Sequence, residues 1–282
     1  MIVIVAIMLI LAFFLAIGLI DGNRFEVVEE EFALPKLKRQ CKLALISDVH
    51  NKVYGDNNAP LIKAVKRINP DFIILAGDLV TSKAGEDMTP GIGLVNELAG
   101  DFKIYYGLGN HESRIKERRD KFGNAFDDLK NKLSAENIVM LENKSADISE
   151  YNIRITGLEL STEYFPHFGI KSMEDGYLES VIGEADKSKC NILIAHNPDY
   201  FSEYAKWGAD FVLSGHVHGG IMRLPVLGGV ISPSYRLFPK YDGGVFREKD
   251  AVMLLGRGMG AHTIPFRFFN PAQLYAVTLK PR

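Results

Sequence analysis

From residue 41 onward the chain alternates short apolar runs with amphipathic segments, and this alternation constrains the fold more than any other feature. The apolar runs have the length and composition of buried strands and lie at 42–46, 71–76, 103–106, 138–141, 153–158, 191–195, 211–213, 251–256 and 273–279. The predicted helical segments lie at 57–69, 88–99, 113–135, 172–186 and 200–207, with a break near Gly123. Strands that alternate with helices in this way predict a mixed α/β domain.

The chain divides into three predicted regions. No linker or low-complexity segment interrupts residues 41–282, so we predict one domain there. Residues 23–40 are polar and are predicted to form a connector or an edge segment. This region would join the domain to an apolar N-terminal segment at 1–22.

The N-terminal segment has the composition of a membrane anchor. From Ile2 to Ile20 it carries no charged residue, and it is nearly long enough to cross a hydrocarbon core of about 30 Å. A cleaved signal peptide usually has a basic start and a small-residue cleavage site, whereas here Asp21-Gly22-Asn23-Arg24 follows the apolar stretch. We therefore predict a single-pass anchor in the cell membrane. Basic residues after the span favour a cytoplasmic domain, but Glu29-Glu30-Glu31 interrupts them, so the prediction leaves the membrane side open.

Charge and cysteine content exclude several classes of protein. The net charge is −2, so the chain lacks the basic excess typical of nucleic-acid binders, and we predict no nucleic-acid partner. The cysteines, Cys41 and Cys190, are too few for a disulfide framework or a cysteine-based zinc site. We expect both to be small buried residues. The sequence predicts no particular oligomeric state.

Five of the strand-like runs end in side chains that can bind metals. In chain order these side chains are Asp48 with His50, Asp78, Asn110 with His111, His196, and His216 with His218. Ligand sites of open α/β sheets lie beyond the carboxyl ends of the strands, so the five clusters can converge on one crevice. Imidazole and carboxylate ligands suit Mn, Fe, Zn or Co. Gly77, Gly109 and Gly215 each precede a candidate ligand, and the missing Cβ would allow a sharp turn or a close approach there.

Each cluster alone also has an ordinary explanation. A single Asp-x-His is mostly chance, Gly-Asp is a common turn, and a lone histidine is usually a core or surface residue. The fixed order of five clusters, each after a strand, favours a metal site over coincidence. His167 and His262 fall outside these clusters and are predicted to be non-ligands, although His262 lies in a loop that could line the site.

Together these motifs resemble those of the calcineurin-like metallophosphoesterases. The motifs are Asp-x-His, Gly-Asp, Gly-Asn-His-Glu, His and Gly-His-x-His in that order, and the resemblance covers roughly residues 41–279. Residues 215–225, 257–260 and 265–267 further resemble the membrane-anchored bacterial subgroup that includes the YkuE and YaeI phosphoesterases. The chain departs from the pattern at Met222, where Gln is common. At Glu112, where Asp is also frequent, we expect little consequence.

The resemblance implies a four-layer α-β-β-α sandwich and a site for two divalent metal ions. The implied ligands are Asp48, His50 and His218 for the first metal, Asn110, His196 and His216 for the second, and Asp78 for both. His111 is implied to be catalytic without binding a metal, as a charge-stabilising donor or a general acid near the leaving group. The implied reaction is hydrolysis of phosphate mono- or diesters by a hydroxide that bridges the two ions.

Three other functions stay open alongside this one. Within the same class, the chain could hydrolyse the pyrophosphate of a lipid-linked nucleotide, as UDP-diacylglucosamine hydrolases do, or act as a protein Ser/Thr phosphatase. A non-catalytic scaffold of the same fold is the alternative outside the class. The apolar segment 224–241 is interrupted by basic residues and would suit an amphiphilic phosphate ester if it were exposed, but we favour a packed loop there.

Overall fold

The computed structural model describes residues 1–166, 169–224, 226–232, 236–261 and 266–282 of the chain. The α-helices in these residues are α1 (Ile2–Asn23), α2 (Ala59–Ile68), α3 (Thr89–Ala99), α4 (Asn110–Glu117), α5 (Arg119–Phe122), α6 (Ala125–Lys132), α7 (Tyr177–Ile182) and α8 (Phe201–Trp207). The strands are β1 (Phe25–Leu34), β2 (Cys41–Ile46), β3 (Phe72–Ala76), β4 (Ile104–Gly107), β5 (Ile138–Leu141), β6 (Lys144–Ile148), β7 (Ile153–Leu158), β8 (Cys190–Ala195), β9 (Phe211–Ser214), β10 (Met222–Leu224), β11 (Gly228–Ile231), β12 (Gly244–Glu248), β13 (Ala251–Leu255) and β14 (Ala272–Pro281).

Two six-stranded sheets form the centre of the molecule. The first has the order β1-β14-β2-β3-β4-β5, in which β2 to β5 are parallel and β14 is antiparallel to β2. The second has the order β12-β13-β9-β8-β7-β6, with β13, β9, β8 and β7 parallel and both edge strands antiparallel to their neighbours. Strands β10 and β11 form a separate hairpin. The parallel strands therefore end together at one edge of each sheet.

Alternating side chains of each strand serve two cores. In β2, Leu43 and Leu45 pack in the core between the sheets, whereas Ala44 and Ile46 pack against helices. Helices α2, α3, α4 and α6 cover the outer face of the first sheet, and α7 and α8 cover the second. The four layers confirm the predicted α-β-β-α sandwich. Because the central strands are buried on both faces, they stand out in the sequence as continuous apolar runs.

Several predicted elements differ in extent from those in the structure. The predicted helix at 172–186 is confined to α7, because Gly176 and Gly183 flank it with φ of +79° and +74°. The helical region predicted at 113–135 begins earlier, at Asn110, and is divided into three helices, with Gly123 at φ +57° in the expected break.

The polar region between the apolar N terminus and the predicted domain contains a strand of the first sheet. Strand β1 pairs in parallel with β14 along its whole length, so it is the edge strand of that sheet. Its polar alternation follows from this position, since one of its faces is largely exposed. The sheet thus begins before residue 41, where the sequence analysis placed the start of the domain.

Helix α1 is the one helix in the described residues that is long and apolar enough to cross a membrane. Only 6% of its most apolar stretch of 18 residues is buried against the rest of the protein. Its buried residues are Gly18 and Asp21, near the end that joins the sheet. Cys41 and Cys190 are both free and buried, as expected.

Candidate metal centre

The predicted metal-binding side chains lie at the carboxyl ends of five strands from both sheets. They follow β2, β3 and β4 of the first sheet and β8 and β9 of the second. Seven of the eight candidate residues are buried, and His216 is half-buried. The five clusters therefore meet where the two sheets face each other, as the position of ligand sites in α/β sheets predicts.

Asp48, His50 and His218 form one group of potential ligands. One ligand atom of each lies within 4.8 Å of the others. The Nε2 atoms of His50 and His218 are 3.1 Å apart, and the two rings stack at 5.0 Å between centroids. His218 Nε2 lies 3.4 Å from Asp48 Oδ1. These atoms can converge on a single cation.

Asp78 lies between that group and a second one. The second group consists of Asp78, His196 and His216, again with ligand atoms within 4.8 Å of one another. Asp78 Oδ2 is 3.1 Å from His196 Nε2 and 3.7 Å from His50 Nε2. One carboxylate is thus within reach of two neighbouring cation positions.

Asn110 is the first residue of α4 and follows Gly109, which packs against Asp78. Its Oδ1 is buried and has no hydrogen-bond partner among the described residues, and the same holds for Asp48 Oδ2. Burying such oxygen atoms without a partner costs free energy, which a cation would recover. The donor set of carboxylate, amide and imidazole therefore fits divalent metal ions.

The backbone of these loops is held in an uncommon conformation. The left-handed φ angles are +48° at Asp48, +48° at His50, +53° at Asp78, +75° at His216 and +55° at His218. Non-glycine residues adopt this region rarely, at a cost of roughly 1–3 kcal/mol each, and such residues cluster at functional sites. The sharp turns direct side chains from adjacent loops into one small volume.

Hydrogen bonds between the loops maintain this conformation. The amides of Asp48 and His50 donate to the carbonyls of Gly77 and Asp78, each at 3.0 Å. The amide of His216 donates to Asp48 Oδ1 at 2.7 Å, which links the second sheet to the first. The site is therefore fixed by the contact between the two sheets.

The electrostatics of the site call for positive charge. Burial alone would raise the pKa of Asp78, but the imidazoles of His196 and His111 hold it well below its usual range. Burial alone would lower the pKa of His196, but Asp78 and Asp48 raise it to about 10. A proton on His196 thus neutralises part of the buried carboxylate charge. A divalent cation would displace that proton and take over its role.

Backbone carbonyls orient two of the histidines. His196 Nδ1 lies 2.6 Å from the carbonyl oxygen of Ala76, and His218 Nδ1 lies 3.2 Å from that of Gly260. Since a carbonyl can only accept, each Nδ1 carries the proton and donates it. Nε2 therefore faces the centre in both rings, and once a cation has displaced the Nε2 proton of His196, its lone pair is free to bind the cation.

His111 lies beside the two groups in a different environment. Its Nδ1 accepts a hydrogen bond from the backbone N–H of Ser82 at 2.7 Å, so its Nε2 carries the proton. Nε2 is 4.0 Å from Asp78 Oδ2, and His111 lies close to both His50 and Asp78, but in this tautomer its Nε2 has no lone pair for an ion. Arg114 donates to the Ser82 hydroxyl at 3.0 Å and so supports the turn that orients the ring.

Glu112 has a structural role that the sequence analysis underestimated. Its fully buried carboxylate accepts backbone hydrogen bonds from Asp78 at 2.9 Å, Gly109 at 2.8 Å and Val80 at 3.2 Å. Burial, with a further contribution from Asp78, raises the pKa of Glu112 to about 7. It fixes two of the ligand-bearing loops relative to each other, and its place directly after two candidate residues was the available signal.

Two residues near the C-terminal end of the chain hold the loop that carries His218. The buried Asn270 side chain donates to the carbonyls of His218 at 2.8 Å and Gly220 at 2.6 Å. The buried Arg267 donates to the carbonyls of Gly258 and Gly260. The Asn270 contacts span 52 and 50 residues of sequence, so a local pattern could not reveal them. His167 and His262 lie outside the described residues.

Comparison with known proteins agrees with this geometry. The sequence matches the family described as calcineurin-like phosphoesterase over residues 41–220, which is more than half of the chain. The chain therefore belongs to the calcineurin-like phosphoesterase family, and its activity is hydrolysis of phosphoester bonds. The family recognised from the five motifs is confirmed.

Three curated proteins illustrate the relationship. The uncharacterised protein YpbG of Bacillus subtilis is 26% identical, over 92% of this chain and 88% of its own length. The uncharacterised metallophosphoesterase YkuE of the same organism is 24% identical, over 85% and 79%. The phosphodiesterase YaeI of Escherichia coli is 26% identical, over 68% and 64%. The subgroup containing YkuE and YaeI was the one that the C-terminal motifs resembled.

Replacing Glu112 with Gln should weaken metal binding. The amide has one acceptor oxygen and would place an NH₂ group against backbone N–H donors, so the loops carrying Asp78 and Asn110 should shift. We expect metal affinity to fall about 10- to 100-fold, the usual effect of losing an orienting partner of a ligand. Titration with Mn²⁺ followed by calorimetry measures it. Glu117→Gln, at the exposed end of the same helix, is the control, and equal affinity of both variants would contradict the role of Glu112.

Replacing Gly109 with Ala should disrupt the site by steric contact alone. Gly109 has φ of −100°, which any residue adopts, but an added Cβ would lie 2.2 Å from Asp78 Oδ1. We expect hydrolysis to fall on the order of 100-fold, because a displacement of about 1 Å has that effect on catalysis. In the control Gly93→Ala the new Cβ meets nothing within 4 Å. Unchanged hydrolysis in Gly109→Ala would show that the close approach is not required.

Proposed function

We propose that the chain is a binuclear metallophosphoesterase that hydrolyses phosphate mono- or diesters. Asp48, His50 and His218 would hold the first ion, and Asn110, His196 and His216 the second, with Asp78 bridging both. The single observation that carries this proposal is the position of Asp78, whose carboxylate lies against both histidine groups. Two divalent ions bound there would supply an acidified water as nucleophile and offset the negative charge of the phosphate oxygens.

The protein's own residues would position these components. The interloop hydrogen bonds of Asp48 and His50 hold the ligand atoms before any ion arrives, so little reorganisation is needed on binding. Phe165 covers one side of the second group, with its ring 5.0 Å from that of His216 and 6.2 Å from that of His196. This apolar contact would limit water on that side and strengthen electrostatic interactions within the site.

His111 would act as a charge-stabilising donor or a general acid of the reaction. Because Ser82 donates to its Nδ1, the ring presents an N–H at Nε2 toward the centre, and this N–H can stabilise negative charge on the phosphate or on the leaving oxygen by a hydrogen bond. Transfer of the Nε2 proton to the leaving oxygen would require that Nδ1 is also protonated, so that the ring is left neutral afterwards. The imidazole edge contacts the His50 ring at 4.9 Å between centroids, so it borders the metal groups without needing to be a ligand.

The observations favour catalysis over a scaffold role, because all seven ligand positions are occupied by residues that can bind metal and five of them are held in strained turns.

The apolar N-terminal helix favours an amphiphilic substrate, since a membrane-anchored enzyme meets amphiphilic phosphate esters at the bilayer surface. Hydrolysis of a lipid-linked pyrophosphate is the second candidate, and the exposed apolar side chains of segment 224–238 favour it. Parallel assays of a monoester, a diester and a UDP-linked lipid distinguish these substrates.

We further propose the arrangement of the whole chain: residues 1–22 as a single-pass membrane anchor, 23–40 as a connecting region that also supplies the edge strand β1, and 41–282 as the catalytic domain. The apolar length of α1 supports the anchor. The family match begins at residue 41 and so supports the start of the catalytic domain at that residue.

Replacing Asp78 with Asn should abolish hydrolysis of p-nitrophenyl phosphate esters while the fold persists. The amide cannot supply the charge or the second oxygen that two cations need. The loss should exceed the 100- to 10,000-fold that is typical of removing a proton donor, because the two metal ions would no longer be held together. The measurement is the initial rate after reconstitution with Mn, Fe, Zn or Co, with circular dichroism to follow the fold. Asp71→Asn, at the opposite end of the same strand, is the control, and full activity of Asp78→Asn would end the assignment.

Replacing His111 with Ala should leave the metals bound and lower the rate. We expect a loss of about 100- to 10,000-fold in kcat, the range for a general acid. Metal content per chain, measured by elemental analysis, should equal that of the unmodified protein. A chain that has lost one ion would instead identify His111 as a ligand and reject its role as a donor.

A further inference from the structure

A group of apolar side chains is exposed around the hairpin of β10 and β11. We call it the apolar platform, and its members are Leu224, Val226, Leu227, Leu237, Phe238 and Phe269. Val226 is fully exposed, and Leu237 and Phe238 expose 67% and 58% of their surface. The sequence analysis favoured a packed loop for this segment, and the described residues show that this prediction was wrong. Apolar residues gathered on a surface in this way mark contact with a membrane or a partner.

The platform is one hydrogen-bonded unit. The amide of Arg223 in β10 donates to the carbonyl of Phe268 at 3.0 Å, and Met222 forms a parallel bridge with Phe268. On the other side, the amide of Phe238 donates to Val230 of β11 at 2.9 Å. Its members are therefore held together by backbone pairing, which lets apolar side chains stay exposed without a core beneath each of them.

The platform contacts α1 through Phe269 and the adjoining residues Phe266 and Phe268. The ring of Phe14 lies 6.3 Å from that of Phe268 and 6.4 Å from that of Phe269. Gly18 allows the close approach, since a Cβ there would lie 2.9 Å from the Phe268 ring and 3.2 Å from that of Phe266. The apolar helix and the platform thus form one continuous apolar surface.

The position of this contact along α1 indicates how deep the platform would lie in a bilayer. Phe14 precedes Asp21, at the polar end of the apolar stretch, by two turns, or roughly 10 Å along the helix axis. Elements that lie in the interface of a bilayer are buried about 5–10 Å into it. If α1 crosses a bilayer, the segment that contacts Phe14 lies at this depth.

Charged residues mark the polar end of the same surface. Arg24 follows α1 and is exposed, and its guanidinium pairs with Asp21 at 2.9 Å and Glu26 at 2.8 Å. The Lys52 ammonium donates to Asn23 Oδ1 at 2.7 Å. Cations at this level would meet the phosphates of lipid headgroups.

We propose that the apolar platform inserts into the same bilayer leaflet as the C-terminal half of α1, so that the protein binds a membrane through two elements. Its occupant is therefore lipid. The loop that carries His218 leads through Gly219 and Gly220 into β10. Insertion would hold the metal centre one short loop from the bilayer surface.

Spin labels on the full-length protein in phosphatidylcholine vesicles test this arrangement. Cys41 and Cys190 are 2% and 0% exposed, so a label would react at introduced cysteines only. Val226→Cys and Phe238→Cys probe the platform, and Leu9→Cys probes the middle of α1. The control is Glu136→Cys, an exposed position just before β5, at the end of the parallel strands that lies away from the metal centre. Collision with oxygen, which partitions into lipid, is compared with collision with a water-soluble nickel chelate.

We expect oxygen to relax the labels at 226, 238 and 9 more strongly than nickel does, with the order reversed at 136. Nickel accessibility at 226 and 238 equal to that at 136 would place the platform in water and overturn the proposal. Protection of both positions from both reagents would also overturn it, because the platform would then be covered by protein. A water-exposed label at position 9 would reject both the anchor and the insertion. Since the labels report depth without turnover, these results are independent of whether the metal centre hydrolyses phosphate esters.

Discussion

Two fully buried carboxylates at the contact between two sheets are the constraint on which this structure depends. Asp48 and Asp78 lie where the carboxyl ends of both sheets meet, with imidazoles from both sheets around them. Removing such charges from water is costly unless a cation is close, and the raised pKa of His196 shows that a proton can partly fill that need. A divalent cation bound there would satisfy it more completely. The same charges that would destabilise an empty core therefore mark the candidate metal centre.

The backbone bears the strain that this arrangement requires. Five candidate ligands occupy the left-handed region, and the loops that hold them are fastened by hydrogen bonds that cross from one strand end to the next. Glu112 fastens the first sheet's loops, whereas Asn270 fastens the loop of His218. Because these partners are buried, the ligand atoms are positioned by the packed sandwich and not by the loops alone.

Much of this could be predicted from the sequence because buried parallel strands and their polar ends leave a local signature. The runs at β2, β3 and β8 are apolar on both faces, and a ligand directly follows or nearly follows each of them. What could not be predicted depends on distant pairing. The region that contains strand β1 was predicted to be either a connector or an edge segment, and the sequence could not decide between the two, because the strand forms only by pairing with β14 at the far end of the chain.

Contacts between distant parts of the chain also limited what the sequence could predict about the metal site and the apolar platform. Glu112 was expected to have little consequence, whereas the structure places two ligand-bearing loops against its oxygens. Val226 and Phe238 looked like core residues because apolar composition alone does not distinguish a packed loop from an exposed one. In both cases the missing information was which surfaces the folded chain leaves without a protein neighbour.

The end of the apolar helix is connected to the metal loop by hydrogen bonds. Asp21, buried at the end of α1, accepts the backbone N–H of Asn270 at 3.2 Å, and the Asn270 side chain donates to the carbonyls of His218 and Gly220. A displacement of α1 would therefore act on a predicted ligand through a single intervening residue. Whatever fixes the position of the helix also fixes the position of His218, so the helix contributes to the geometry of the site as well as to any attachment to a membrane.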